Sequence, residues 1–313
     1  MLMGCQKAGK TSIKKVVFEK LSPHESVFLE TTNTIEVYKL ENFCYTSIVL
    51  RDYPNDYNFE KASTNESKYL SSCGVLIFVI DCQDINDDVY DYFKEVISNV
   101  FPKNPKMLVE IFIHKADGAY FTQTNNINKL RSEIQSRVKE ILNDLNLEIN
   151  PGFQSTSIYD HSLFEAFSKI FQKLIPQNLF LSSLLDTLST PCQFEKVYLF
   201  DIYNKIYLAT DSSPMEEQFY EICSDMIDVV MDMSGIYGDT SSDYNFDENS
   251  YSLIKINNPN KSIENKASFL YLRFIESNLA LIAIIKDENY DRQHLIDYNI
   301  KQFKEAVKEI YKV

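Results

Sequence analysis

Several things are missing from this chain, and each absence excludes a class of protein. No apolar run approaches the ~18 residues that cross a bilayer. The opening MLMGCQKAGK lacks the long apolar core of a signal peptide. A cytoplasmic protein that meets membranes only through a partner is therefore expected. Positive charge is scarce as well: 31 Lys and Arg face 45 Asp and Glu, a formal net charge of -14. No local basic patch offsets that field, which repels phosphodiester backbones and argues against nucleic acid as a partner. The six cysteines (Cys5, Cys44, Cys73, Cys82, Cys192 and Cys223) form no C-x-x-C pair and no spacing with histidine that suits a metal. They read as reduced packing residues. Internal repeats are absent, and the C-terminal YKV carries no lipidation motif.

What is present suits two domains, since 313 residues at 44% apolar content can build two cores. The first half alternates strand patterns, IEVYKL, FCYTSIVL, GVLIFVID and MLVEIFIH, with helical ones, DVYDYFKEVISNVF, NKLRSEIQSRVKEILNDL and HSLFEAFSKIFQKLI. That alternation predicts an α/β domain with a mostly parallel sheet and flanking helices, residues 1–178. Beyond it the order changes. Strands EKVYLFDI and KIYLATDS, the helix EEQFYEICSDMIDVVMDMSGI, strands SYSLIKIN, ASFLYLRFIE and LALIAIIK, and a helix from about Asp291 to Tyr311 predict an α+β domain over residues 179–313.

The motif with most chemical content is GCQKAGKT, Gly4 to Thr11, which fits G-x-x-x-x-G-K-[ST] at every fixed position. Glycines let the loop turn its N–H groups toward phosphate oxygens, Lys10 supplies positive charge and the Thr11 hydroxyl can ligate Mg²⁺. The helical SIKKVVFEKL follows, as the motif requires. Only Met1, Leu2 and Met3 remain for the strand before it, so that strand is expected to be truncated or missing. Later elements narrow the class. Asp52 follows FCYTSIVL and is placed to reach magnesium through a water. FIHKADG sets Lys115 and Asp117 at a strand end, where an Asp accepts hydrogen bonds from guanine N1 and N2 that adenine cannot offer. STSIYDHS, residues 155–162, stands where a loop would close over the base. A lone HKAD reads more readily as a strand end with a surface charge pair; the three elements in this order reverse that and point to guanine.

Taken together these stretches resemble the Rag family of GTPases, C/D type, over essentially the whole chain. GCQKAGKTSIKKVVFEKLSP, FLETTN, FIHKADG, TSIYDHSLFEAFSKIFQKLIPQ, KIYLATDSSP, CSDMIDVV and LIDYN carry the resemblance. It implies a Ras-like GTPase domain followed by a roadblock-type dimerisation domain. It also implies GTP or GDP with Mg²⁺ as ligands. Phosphate contacts then fall to Gly4, Lys7, Ala8, Gly9, Lys10, Thr11 and Ser12. Magnesium falls to Thr11, to Asp52 through water, and to a switch threonine, Thr32 or its neighbour Thr31. Base recognition falls to His114, standing where most small GTPases have Asn, with Lys115, Asp117, Ser157 and Ile158. The implied setting is a heterodimer with an A/B-type Rag subunit, peripheral on a lysosomal or vacuolar scaffold complex, relaying amino-acid sufficiency to the TOR kinase complex.

One stretch departs from the family. Where D-F-P-G-Q is expected, the chain has Asp52, Tyr53, Pro54, Asn55 and Asp56. Asn55 adds bulk where a glycine N–H meets the γ-phosphate. Asp56 replaces the glutamine that orients water, and a carboxylate near a phosphate is opposed by roughly 1 to 4 kcal/mol per charge pair at about 4 Å. Slow hydrolysis is expected, and no residue is named catalytic. A pseudo-GTPase scaffold that never turns over nucleotide is the competing reading. An ATP-dependent enzyme on the same loop is disfavoured by Lys115 and Asp117.

Overall fold

The structure, a computed structural model, describes residues 1–43, 46–55, 57–59, 63–118, 121, 124–214, 217–237, 246, 250–256, 267–276 and 278–310. Cys44, Asp56 and Tyr311 lie outside the described residues, as does most of the polar stretch 238–250. Two compact units divide the chain: Met1–Glu41 with Ser47–Ala166, and Asn42–Thr46 with Phe167–Val313.

The first unit runs β1 (Leu2–Gly4), α1 (Lys10–Phe18), β2 (Glu36–Phe43), β3 (Thr46–Asp52), α2 (Thr64–Ser72), β4 (Val75–Asp81), α3 (Asp87–Val100), β5 (Leu108–His114), α4 (Thr124–Asp144) and β6 (Gly152–Thr156). Helix α5 (Ser162–Leu174) carries the division between the units. The six strands lie in the order β2-β3-β1-β4-β5-β6, with β1 parallel to β3 and β4, and β4, β5 and β6 parallel in turn. Strands β4 and β5 are almost entirely buried, which is why VLIFVI and IFI read as unbroken apolar runs rather than alternating ones. Phe78 meets the α3 ring of Phe93 edge-on at 5.0 Å in the core beneath them.

The expected deficit before the loop motif resolves simply: β1 is three residues long and buried, and it pairs on both sides, Leu2 with Asp52 and with Ile77. Strand order turns about β1, with β3 and β2 on one side and β4 to β6 on the other. In open α/β sheets the crevice beyond such a point receives ligands. Helix α2 and strand β6 were not expected. GFQST has little apolar signal of its own and becomes a strand by pairing with buried β5. The Ser63 side chain caps α2 by accepting from Glu66 N at 3.2 Å.

The second unit runs α6 (Asn178–Cys192), β7 (Phe194–Asp201), β8 (Ile206–Thr210), α7 (Glu217–Tyr237), β9 (Tyr251–Ile256), β10 (Ser268–Glu276), β11 (Leu279–Lys286), α8 (Asp287–Tyr290) and α9 (Gln293–Ile310). Its sheet is antiparallel in the order β8-β7-β11-β10-β9. An antiparallel five-stranded sheet with this helix order is consistent with the roadblock type. Helix α6, also not expected, buries Leu181, Leu185, Leu188 and Cys192 and packs on α9, β7 and β8. Helix α9 buries Ile296, Ile300, Phe303 and Val307, so most of its apolar face covers its own unit. Lys196 is fully buried too, with Nζ donating to Asp211 O at 3.0 Å and Ser213 O at 2.7 Å and ion-paired with the Asp211 carboxylate at 3.0 Å. Helix α7 carries apolar residues on two faces. It buries Tyr220, Cys223, Met226 and Ile227, yet a second stripe, Val229, Met233, Ile236 and Tyr237, stays exposed.

Candidate nucleotide site

A loop between β1 and α1 sits where the strand order turns. Two glycines make it possible. A side chain on Gly4 would stand 2.3 Å from the Val79 carbonyl oxygen, and one on Gly9 would stand 2.6 Å from the His114 ring. Gly9 also has φ 99°, a left-handed value that glycine adopts without strain. Gly9 caps α1 with no side-chain partner, so the first-turn N–H groups and the positive end of the helix face outward. They open on a cavity of about 510 Å³.

The sequence-predicted loop residues Lys7, Ala8, Gly9, Lys10, Thr11 and Ser12 all line this cavity; Gly4 stands behind it at the end of β1. Lys7 takes φ 63° in the turn. Lys10 folds inward, Nζ donating to Gly4 O at 2.7 Å and Cys5 O at 3.0 Å. Burial lowers its pKa from the ordinary lysine value, an effect that nearby Asp52 opposes.

Thr11 Oγ1 donates to Asp52 Oδ2 at 2.6 Å and lies 2.6 Å from Thr32 Oγ1. Thr31 and Thr32 both line the cavity, and Thr32 is the one whose hydroxyl meets Thr11. Asp52 is fully buried, and its second oxygen, Oδ1, has no hydrogen-bond partner. Burial pushes its carboxyl pKa up. Two hydroxyls and a carboxylate, one oxygen of it unspent, form an all-oxygen set that suits a hard divalent cation such as Mg²⁺. These residues fit a magnesium-bound polyphosphate lying across the α1 N-terminus.

His114, Lys115, Asp117 and Ile158 also line the cavity. His114 is 1% exposed under Gly9, its Nδ1 paired with Thr156 Oγ1 at 3.0 Å, and burial depresses its pKa to about 4. A neutral ring supports the loop from below. Ser157 is buried and donates to Asp117 Oδ1 at 2.8 Å, holding the carboxylate in place. The expected loop of N–H groups over the base is partly committed already: Ser157 N donates to Ser162 Oγ and Tyr159 N to Ser157 Oγ. Asn55 lines the cavity beside Pro54 and is not among the residues of positive φ, so it does not use the backbone freedom that a glycine offers there. Tyr53 turns away from the cavity, buried, its hydroxyl on Glu66 at 3.1 Å.

Gln83 also lines the cavity, and Asp81 touches Lys115; sequence reading found neither. The only available signal was that GVLIFVID ends on an acid.

A strand-loop-helix phosphate cradle, a hydroxyl pair facing a buried Asp, and Lys115 with Asp117 at the end of a strand in a mostly parallel sheet define a P-loop GTPase domain. The Gtr1/RagA G protein conserved region matches residues 1–227. The chain is 41% identical over 316 residues to Ras-related GTP-binding protein C of Homo sapiens, covering 100% of this chain and 76% of that protein. To GTP-binding protein gtr2 of Schizosaccharomyces pombe it is 40% identical over 318 residues, covering 99% of this chain and 97% of that protein. GTP-binding protein GTR1 of Saccharomyces cerevisiae stands further off, 23% identical over 309 residues, 97% and 96% of the two chains. The chain belongs to the Gtr1/RagA family of G proteins, and it resembles the C and gtr2 members more than GTR1.

Proposed function

We propose that the chain is a guanine-nucleotide switch with slow GTP hydrolysis. The observation that carries this reading is the meeting of Thr11, Thr32 and Asp52 at the mouth of the phosphate loop. Thr32 comes from the segment before β2 and Asp52 from the end of β3, so the two would couple the position of that segment to what the loop holds. Gly4, Lys7 to Ser12 and the α1 N-terminus would bind the phosphates. Thr11 and Thr32 would hold Mg²⁺ directly and Asp52 through water. Bound there, the metal offsets phosphate charge. Asp117, held by Ser157, would accept from the guanine edge, while Lys115 lies along the base plane, Ile158 closes the side and His114 supports the loop.

Slow turnover follows from Asn55 and Asp56 in place of the family glycine and glutamine. A single-turnover measurement of bound GTP tests it: hydrolysis slower than that of an ordinary unassisted small GTPase is expected, and an ordinary rate refutes it. The same two residues favour the second reading, a scaffold subunit that binds nucleotide without turning it over. Hydrolysis that stays absent when a partner is supplied selects that reading.

As a C/D-type subunit, the protein would pair with an A/B-type Rag subunit through its second unit. The exposed α7 stripe and the edge strand β9, with Tyr251 outward, support this surface. It would act on a lysosomal or vacuolar scaffold and relay amino-acid sufficiency to the TOR kinase complex. Among the described residues no helix is long and apolar enough to cross a membrane.

A further inference from the structure

Lys115 is gripped from a direction that the nucleotide motifs do not reveal. The parallel register of β4 and β5 sets Asp81 opposite His114, so the residues after Asp81 run beside Lys115. Lys115 has φ 62°, a left-handed conformation that costs a lysine backbone strain and must be held by its surroundings. Asp81, Cys82 and Gln83 do so. The Asp81 carboxylate ion-pairs with Lys115 Nζ at 2.5 Å. Cys82 Sγ and Gln83 Nε2 both donate to the Lys115 carbonyl, at 3.1 and 3.2 Å. Cys82 N donates to His114 O at 3.0 Å, and Gln83 N donates to the other Asp81 oxygen at 2.9 Å, which closes the tripeptide on itself. The Asp81 side chain is 15% exposed and that of Lys115 35%, so the carboxylate is sheltered while the lysine stays in reach of the cavity.

We propose that Asp81 is a positioning residue of the nucleotide site: it acts through Lys115, fixing the lysine stem along the cavity wall before nucleotide arrives. The inference rests on the reading of the cavity as a guanine-nucleotide site. A lysine already held loses less rotamer freedom on binding, so Asp81 lengthens nucleotide residence. It contributes nothing to the choice of base, because neither it nor an ammonium stem distinguishes one purine edge from another. That task stays with Asp117.

The test follows release of a fluorescent GDP from the full chain, in wild type, Asp81→Asn, Lys115→Met and the double variant, with competition by GDP and by IDP. Asp81→Asn is expected to release GDP roughly tenfold faster. The double variant should be no faster than Lys115→Met alone, since both changes remove one interaction. The preference for GDP over IDP, which lacks the exocyclic amine, should not move. Asp81→Glu, which keeps the charge but displaces it from Lys115, should release about two- to threefold faster and carries the test if Asp81→Asn does not fold. Unchanged release in the variants, rates that multiply in the double variant, or a changed GDP to IDP preference overturns the inference while leaving the nucleotide reading intact. A wild-type chain that binds no GDP overturns both.

Discussion

Thr11 Oγ1 donates a 2.6 Å hydrogen bond to Asp52 Oδ2, joining the first turn of α1 to the end of β3. The other Asp52 oxygen is buried with nothing to bond. A half-satisfied buried carboxylate costs the nucleotide-free protein stability, and a divalent cation would repay it. Asp52→Ala should therefore leave the melting temperature of nucleotide-free protein level or higher. It should also abolish the effect of a chelator on GDP release, which in the wild type is expected to be roughly tenfold or more.

Asp117 accepts from Ser157 at 2.8 Å. If Asp117 reads guanine, Asp117→Ala should weaken GDP binding by about 3 kcal/mol, roughly a hundredfold, while Ser157→Ala, which only loosens the carboxylate, costs about 1 kcal/mol. Calorimetric titration with GDP measures both.

The buried ring of His114 makes stability depend on pH. Its folded pKa is depressed to about 4 against an ordinary 6.5. Between those values the unfolded chain binds the proton that the folded one refuses. Stability from this residue is thus present above pH 6.5, falls as pH drops toward 4 and then levels off, a change of order 3 kcal/mol. His114→Asn should flatten that part of the pH profile in urea unfolding measured from pH 7.5 to 4.

The α7 stripe offers a further test. Met233 is 55% and Ile236 72% exposed, so replacing both by Asp should change the chain's own stability by less than about 1 kcal/mol. If this surface seats an A/B-type subunit, the double variant should lose that partner on co-purification. Retained pairing moves the interface elsewhere.

How far the sequence reached depended on the kind of constraint. The meeting of Gly9, Lys10, Thr11 and Asp117 at one cavity was legible because a fixed-spacing loop motif and a strand-end Lys-x-Asp each allow few residue types. Thr32 could not be told from Thr31, since the difference lies in which hydroxyl meets Thr11. Helix α6 escaped notice because Ser and Thr break up Leu181, Leu185 and Leu188 and Pro191 falls in its last turn. Strand β6 has weak apolar signal and depends on β5. Asp81 was hidden because its place beside Lys115 comes from register between two strands, which no local pattern encodes. The second stripe of α7 shares its helix with a buried face, so periodicity alone did not show which side is left open.

The central claim is that this cavity holds guanine nucleotide, and the most direct measurement identifies what the purified protein carries. Denaturing the full chain and separating the released nucleotide by chromatography with mass detection should yield GDP or GTP in near-stoichiometric amount. Adenine nucleotide, or an empty protein that also fails to bind added GDP with magnesium, would contradict the account.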